Sequence, residues 1–183
     1  MEKSYLKQFE LAETVLFEDD ISFIAQFITR SRELQELVLS GNSLVFNQIN
    51  MLMKVIGRNK RLVQLNLSFN NMIEGFSGNN LKRVHETEKK VKNQLYKFLR
   101  GDKKLIHLDL TATNLSEQAI LHLLPAVKRT KSLQGIHLSG NPGVTDEVKQ
   151  VASNLLKTRP DKDRKPINLV SCFSPETMHR YKE

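Results

Sequence analysis

The sequence predicts an α/β solenoid of about five repeats with a C-terminal cap. Parallel strands would line the concave face and helices the convex face of a right-handed horseshoe. Three observations predict it. The pattern L-x-x-L-x-L-x-x-N-x-L recurs along the 183-residue chain. Its starts, at Leu6, Leu34, Leu62, Leu105 and Leu133, stand 28, 28, 43 and 28 residues apart. Between them, at a constant distance ahead of the next start, come the pairs Ile24 and Ile28, Leu52 and Ile56, Leu95 and Leu99, and Leu123 and Val127. Residues four apart share a helix face, so each repeat reads as strand, turn, helix, turn.

The first unit, "LKQFELAETVL", fits the pattern with Phe9 and Thr14 substituted, and Asp19 or Asp20 stands where a helix N-cap is expected. The second, "LQELVLSGNSL" (34–44), fits throughout, with Asn47 as the expected cap. The third, "LVQLNLSFNNM" (62–72), ends on Met72. The fourth, "LIHLDLTATNL" (105–115), has Thr113 in place of Asn and Ser116 as the expected cap. The fifth, "LQGIHLSGNPG" (133–143), closes on Gly143 with Val144 beside it. A last helix is expected over Thr145 to Lys157, with Val148, Val151, Leu155 and Leu156 on its apolar side. The cap, about 158–183, includes "INLV" (167–170), which reads as an edge strand.

The third repeat is 15 residues longer than its neighbours, and the excess lies at about 74–92. Gly75, Gly78, Asn79 and Asn80 read as a loop, while Val84, Glu88, Val91, Leu95 and Phe98 form a helical stripe. The insertion is therefore expected to add a loop and one or two helical turns, although a plain loop would be tolerated equally. Few residues precede Leu6, so the first strand edge is expected to pack on another chain or a further repeat.

These motifs resemble leucine-rich repeats of the ribonuclease-inhibitor-like class, over roughly residues 6 to 157. The resemblance implies one leucine-rich-repeat domain over 1–183, with the motif Asn bonding backbone groups at each turn. Similar repeats occur in Ran GTPase-activating proteins, tropomodulin-like actin cappers, NOD-like receptors and axonemal or ciliary proteins. No functional residue of these families carries over by motif. The acidic tail typical of the GTPase activators has no counterpart in this basic C-terminus, nor do the N-terminal segments of the tropomodulins in what precedes Leu6.

Cys172 is the only cysteine and the N-terminus has no apolar stretch of the signal type, so an intracellular, cytoplasmic or cytoskeleton-associated protein is expected. Asn66-Leu67-Ser68 and Asn114-Leu115-Ser116 match the N-glycosylation triplet, but the repeat itself generates them. The five histidines lack metal-ligand spacing and no phosphate-binding glycine loop is present. The expectation is a non-enzyme without cofactor, metal or membrane span.

Two surfaces are candidates for binding. Residues alternating with the strand leucines face away from the helices. They give a concave site of Val38, Val63, Asn66, Phe69, Ile106, His107, Asp109 and His137. Its apolar members suit a protein partner, although β-branched residues also simply favour strands. Asp109 and His137 share a column on adjacent strands, about 5 Å apart, yet no nucleophile stands beside them.

The second surface is a basic ridge where each helix meets the next strand. It comprises Arg30 and Arg32; Arg58, Lys60 and Arg61; Arg100, Lys103 and Lys104; Lys128, Arg129 and Lys131; then Lys157 and Arg159, followed by Lys162, Arg164 and Lys165. These are 16 of the 28 basic residues in a chain of net charge +8. A second basic group, Lys82, Arg83, Lys89, Lys90, Lys92 and Lys97, accompanies the insertion. Cations at helix C-termini gain about 0.3–1 kcal/mol each from the helix dipole, which accounts for the ridge without any partner. The functional alternative is an acidic partner surface. Nucleic acid ranks lower, because aromatic residues are few and do not interleave with the ridge. The function expected is thus a protein-interaction scaffold using the concave face, the insertion or both, as a subunit of a larger cytoskeletal or ciliary assembly. The rival readings are a GTPase-activating or other regulatory repeat protein, and a nucleic-acid binder.

Overall fold

A computed structural model describes residues 6–73, 81–101 and 104–157. Five strands, β1 (Gln8–Glu10), β2 (Glu36–Val38), β3 (Gln64–Asn66), β4 (His107–Asp109) and β5 (Gly135–His137), form one sheet in sequence order. All pairs are parallel, and one register runs across the sheet: Gln8, Glu36, Gln64, His107 and Gly135 lie side by side. The helices are α1 (Glu18–Arg30), α2 (Phe46–Ile56), α3 (Leu81–Arg100), α4 (Glu117–Arg129) and α5 (Asp146–Lys157). Each packs on the next in chain order.

The core lies between the two layers. Leu37, Leu65, Leu108 and Ile136 are buried at the strand centres, and Leu39, Leu67, Leu110 and Leu138 follow just beyond them. All eight members of the helical pairs meet these from the other side. In the first repeat Phe9 replaces leucine and its ring stands 4.5 Å from that of Phe27 on α1.

Each strand is only three residues long because a turn begins at once, held by the motif asparagine. Asn42 Oδ1 accepts from Thr14 N (2.8 Å), and its Nδ2 donates to Leu11 O (2.6 Å). Asn141 Oδ1 accepts from Leu115 N and Thr113 N, both at 2.9 Å, while its Nδ2 donates to Leu110 O and Leu138 O, both at 2.8 Å. Each asparagine thus ties its own turn to the preceding repeat. Where Thr113 replaces it, the hydroxyl reaches its own Leu110 O (2.7 Å) and Asn141 Oδ1 of the next repeat (3.2 Å) but no group of the preceding one, and the Thr113 carbonyl accepts from Met72 N (3.2 Å). Asn114 Nδ2 supplies the remaining link by donating to Ile73 O (2.9 Å), beside the insertion.

Helix α3 is the longest helix at 20 residues, against 11 to 13 for the others. The insertion therefore does lengthen the helix of the third repeat. Val91, Leu95 and Phe98 are buried, Val84 is half-buried, and the Glu88 carboxylate meets the Ser116 hydroxyl at the start of α4. The expected loop at Gly75–Asn80 lies outside the described residues, as do "INLV", Cys172 and the cap.

Three expectations are corrected. Asp19, Asp20 and Asn47 are not N-caps: α1 and α2 are capped at Phe17 and Val45. Their exposed amides are satisfied from within the helix, Phe17 N donating to Asp20 Oδ2 (2.8 Å) and Val45 N to Gln48 Oε1 (3.0 Å). Ser116 does cap α4, accepting from Ala119 N (3.2 Å). On α5 the buried stripe is Val148, Ala152 and Leu156, with Leu155 half-buried, while Val151 is exposed. Among the described helices α5 packs chiefly on α4. No described helix is long and apolar enough to cross a membrane.

Candidate partner-binding face

The sheet face away from the helices carries the candidate site. Val63 and Ile106 enter β3 and β4 side by side, with Ile106 N donating to Val63 O (2.7 Å). Val38 closes β2, and Phe69 follows β3 in the turn. All four are half-buried, so each keeps apolar surface in contact with solvent.

Phe69 has an unusual backbone. Residues at its position in the five repeats, Glu13, Gly41, Phe69, Ala112 and Gly140, all have positive φ, from 50° to 70°. Glycine serves in two copies, as the left-handed region favours. A left-handed conformation costs an ordinary residue about 1–2 kcal/mol, and a bulky aromatic is a marked exception there. The fold does not ask for an aromatic at this site.

A polar row runs between Val63 and Ile106 at one end of the strands and Val38 and Phe69 at the other. Gln8 Nε2 donates to Glu36 Oε2 (2.7 Å) and Gln64 Nε2 to Glu36 Oε1 (3.4 Å), so one carboxylate bridges three strands. The row continues through His107 to Gly135. An ideal Cβ at Gly135 would lie 2.5 Å from His107 Nδ1, so the missing side chain is what lets the imidazole lie over β5. The His107 ring is nearly parallel to that of His137, with centroids 6.4 Å apart and 13° between planes. Desolvation of the ring and the neighbouring His137 charge lower the His107 pKa below its ordinary value. This ladder was readable as a column of the repeat, but its bonding needed the side-chain geometry.

The lowered pKa has a consequence for stability. The unfolded chain binds a proton at His107 near pH 6.5, while the folded chain resists it. Stability is therefore expected to fall as pH drops from about 6.5 towards the folded pKa, then level off. Denaturant titrations of wild type and His107→Gln across this range should differ in slope, the variant lacking that component.

Two proposed contact residues do not present themselves to a partner. Asn66 and Asp109 are buried, because their side chains fold back on the turn that follows the strand at once. Asn66 Oδ1 accepts from Ser68 N (2.9 Å) and Asp109 Oδ1 from Thr111 N (2.8 Å). Ser68, Thr111 and Ser139 are buried as well. Asp109 and His137 are register partners, as their shared column implies.

On the second surface, Arg30, Arg32, Arg58, Lys60, Arg61, Arg100, Lys104, Arg129 and Lys131 are exposed and Lys128 is half-buried. Lys103, Arg159 and the Lys157 side chain lie outside the described residues. Arg32, Arg58, Lys60 and Arg61 line a hollow of about 300 Å³ between the first two repeats, and Arg61 pairs with Glu33 at 3.0 Å. Such an exposed pair contributes little to stability. The described residues hold no cluster of three or more His, Cys, Asp or Glu placed to bind a metal.

The chain matches no protein-family model and no curated protein. Among solved structures it is similar to the tropomodulin C-terminal domain of Caenorhabditis elegans, with a TM-score of 0.58 over 83% of this chain and 83% of that one. The two are 14% identical, so the likeness is one of fold. Together with the repeat register and the asparagine turns, it makes this chain an α/β leucine-rich-repeat solenoid.

Proposed function

We propose that the chain is a non-enzymatic scaffold that binds a protein partner through the helix-free face of its sheet, around Phe69, Val63, Ile106 and Val38. The observation that carries this reading is Phe69, an aromatic kept in a left-handed conformation that glycine occupies in two sister repeats. Strain of this kind gathers at functional positions, where something other than folding selects the residue. Along the strands the row of Gln8, Glu36, Gln64 and His107 lies between Val63 and Ile106 at one end and Val38 and Phe69 at the other, so apolar and hydrogen-bonding groups alternate across the face. Protein interfaces combine apolar contact of this kind with hydrogen-bonding groups. The fold likeness to a tropomodulin domain supports a cytoskeletal, intracellular setting, and the ribonuclease-inhibitor-like class accords with repeats of 28 residues.

The test is affinity capture with the intact chain as bait. A Val63→Asp/Ile106→Asp protein with wild-type circular dichroism should lose the partners that wild type retains. Equal retention would contradict the reading.

The open side of the first repeat is a second surface. Leu6, Val15, Phe17 and Phe23, four of the five exposed large hydrophobics among the described residues, all belong to this repeat, whose β1 is the outermost strand of the described sheet. This favours packing of that end on further polypeptide. Phe17→Ser/Phe23→Ser should leave the thermal midpoint within a few degrees and reduce self-association or partner assembly in sedimentation. Unchanged sedimentation of a wild-type monomer would argue against it.

A further inference from the structure

Helix α3 carries cations that its own stability does not explain. From Lys82 to Arg100 it holds seven Lys or Arg residues against Glu86 and Glu88. Lys82 and Arg83 stand in its first turn, which has no acidic residue. That end of a helix is the positive end of its dipole, where cations are disfavoured and carboxylates favoured. Three of the four sister helices follow the rule: α1 opens with Glu18, Asp19 and Asp20, α4 with Glu117, and α5 with Asp146 and Glu147, while α2 opens with neither acid nor cation. The dipole that accounts for the basic ridge, and for Lys97 and Arg100 in the last turn of α3, therefore does not account for Lys82 and Arg83.

The exposed cations Lys82, Arg83, Lys89, Lys90, Lys97 and Arg100 recur at near-heptad spacing, so they keep to one side of the helix. The opposite side is occupied: Val91, Leu95 and Phe98 are buried, and Glu88 meets Ser116. At 1.5 Å per residue the stripe runs about 27 Å. It ends at Arg100, itself a member of the ridge.

We infer that this face of α3 docks an acidic segment of a partner protein, an extended run of about eight residues rich in Asp and Glu being long enough to cover it. Charge complementarity argues for the acid. The rest of the surface argues for protein over the other polyanions. From Lys82 onward α3 exposes no large hydrophobic residue that could enter a bilayer. It also offers no free aromatic for base stacking, since Phe98 is buried and the Tyr96 ring packs 5.1 Å from that of His122. The inference rests on the protein-scaffold reading and adds a second, electrostatic contact to it.

The test uses the full chain and three labelled probes at about 0.05 M salt, where exposed charges are weakly screened. They are a Glu-rich decapeptide, an oligouridylate and phosphatidylserine vesicles. The peptide should bind, and Lys82→Glu/Arg83→Glu/Lys89→Glu/Lys90→Glu should weaken it at least about tenfold. The thermal midpoint of Lys82→Glu/Arg83→Glu should be no lower than that of wild type, because it places carboxylates at the helix N-terminus. Absence of peptide binding, binding unaffected by the reversal, or a lowered midpoint would each overturn the inference. Tighter binding of the oligouridylate or the vesicles would overturn the choice of partner. Val63→Asp/Ile106→Asp should bind the peptide as wild type does, so failure on α3 is separable from failure of the strand face.

Discussion

Replacing Asn70 by alanine is expected to destabilise the solenoid by about 3–5 kcal/mol, the range in which loss of a buried hydrogen-bond network falls. Asn70 Oδ1 accepts from Leu44 N (2.9 Å) and Asn42 N (3.3 Å) in the preceding repeat. Its Nδ2 donates to Leu39 O (2.8 Å), Leu67 O (3.0 Å) and Ser68 O (3.2 Å). The side chain is buried, so alanine removes these bonds in a dry place, at about 1–3 kcal/mol for each group stranded, although Ser68 O keeps its bond from Gly41 N (3.0 Å). Asn70→Asp keeps the acceptor and loses the donor, and should fall between alanine and wild type. Denaturant unfolding measures the difference. Because a repeat array is coupled mainly between neighbours, amide exchange should rise most in the second and third repeats.

Gly143→Ala should be the second most damaging single change, at about 3 kcal/mol, the upper part of the range for overpacking. The corresponding positions in other repeats are Leu44, Met72 and Leu115, all buried. At Gly143 the chain instead runs against the start of α4, with Gly143 N donating to Leu115 O (2.9 Å). A Cβ there would overlap the Ser116 carbonyl carbon and the Glu117 nitrogen. Those are backbone atoms, so no side chain can swing aside. Alanine would have to push α4 from the turn of the fifth repeat. Gly135→Ala is the contrast: its Cβ would meet only the His107 imidazole, which can rotate, so a small loss is expected. Thermal unfolding of the two variants in parallel checks both.

The departure at Gly143 shows how far the sequence could be read. The 28-residue spacing was legible because one register repeats it in strand, turn and helix, and each buried leucine confirms the others. The wrong caps have a local cause. Phe17 and Val45 carry no capping oxygen, and the reach of Asp20 and Gln48 back to their amides depends on the backbone path into the helix. Asn66 and Asp109 alternate as outward residues should, but a strand of three residues lets the following turn claim their side chains. At Phe69 the sequence supplied the residue as a candidate contact. Only the backbone angle distinguishes it from Val63 and Ile106, by showing that it is held against its preference.

Phe69→Asn is therefore the most direct test of the account. Asparagine tolerates the left-handed region better than phenylalanine, so the fold should lose little or gain slightly in thermal midpoint. The account predicts that this folded variant, immobilised as bait, no longer retains the proteins that wild type retains. Full retention by Phe69→Asn would contradict the claim that the strand face around Phe69 is where this solenoid binds its partner.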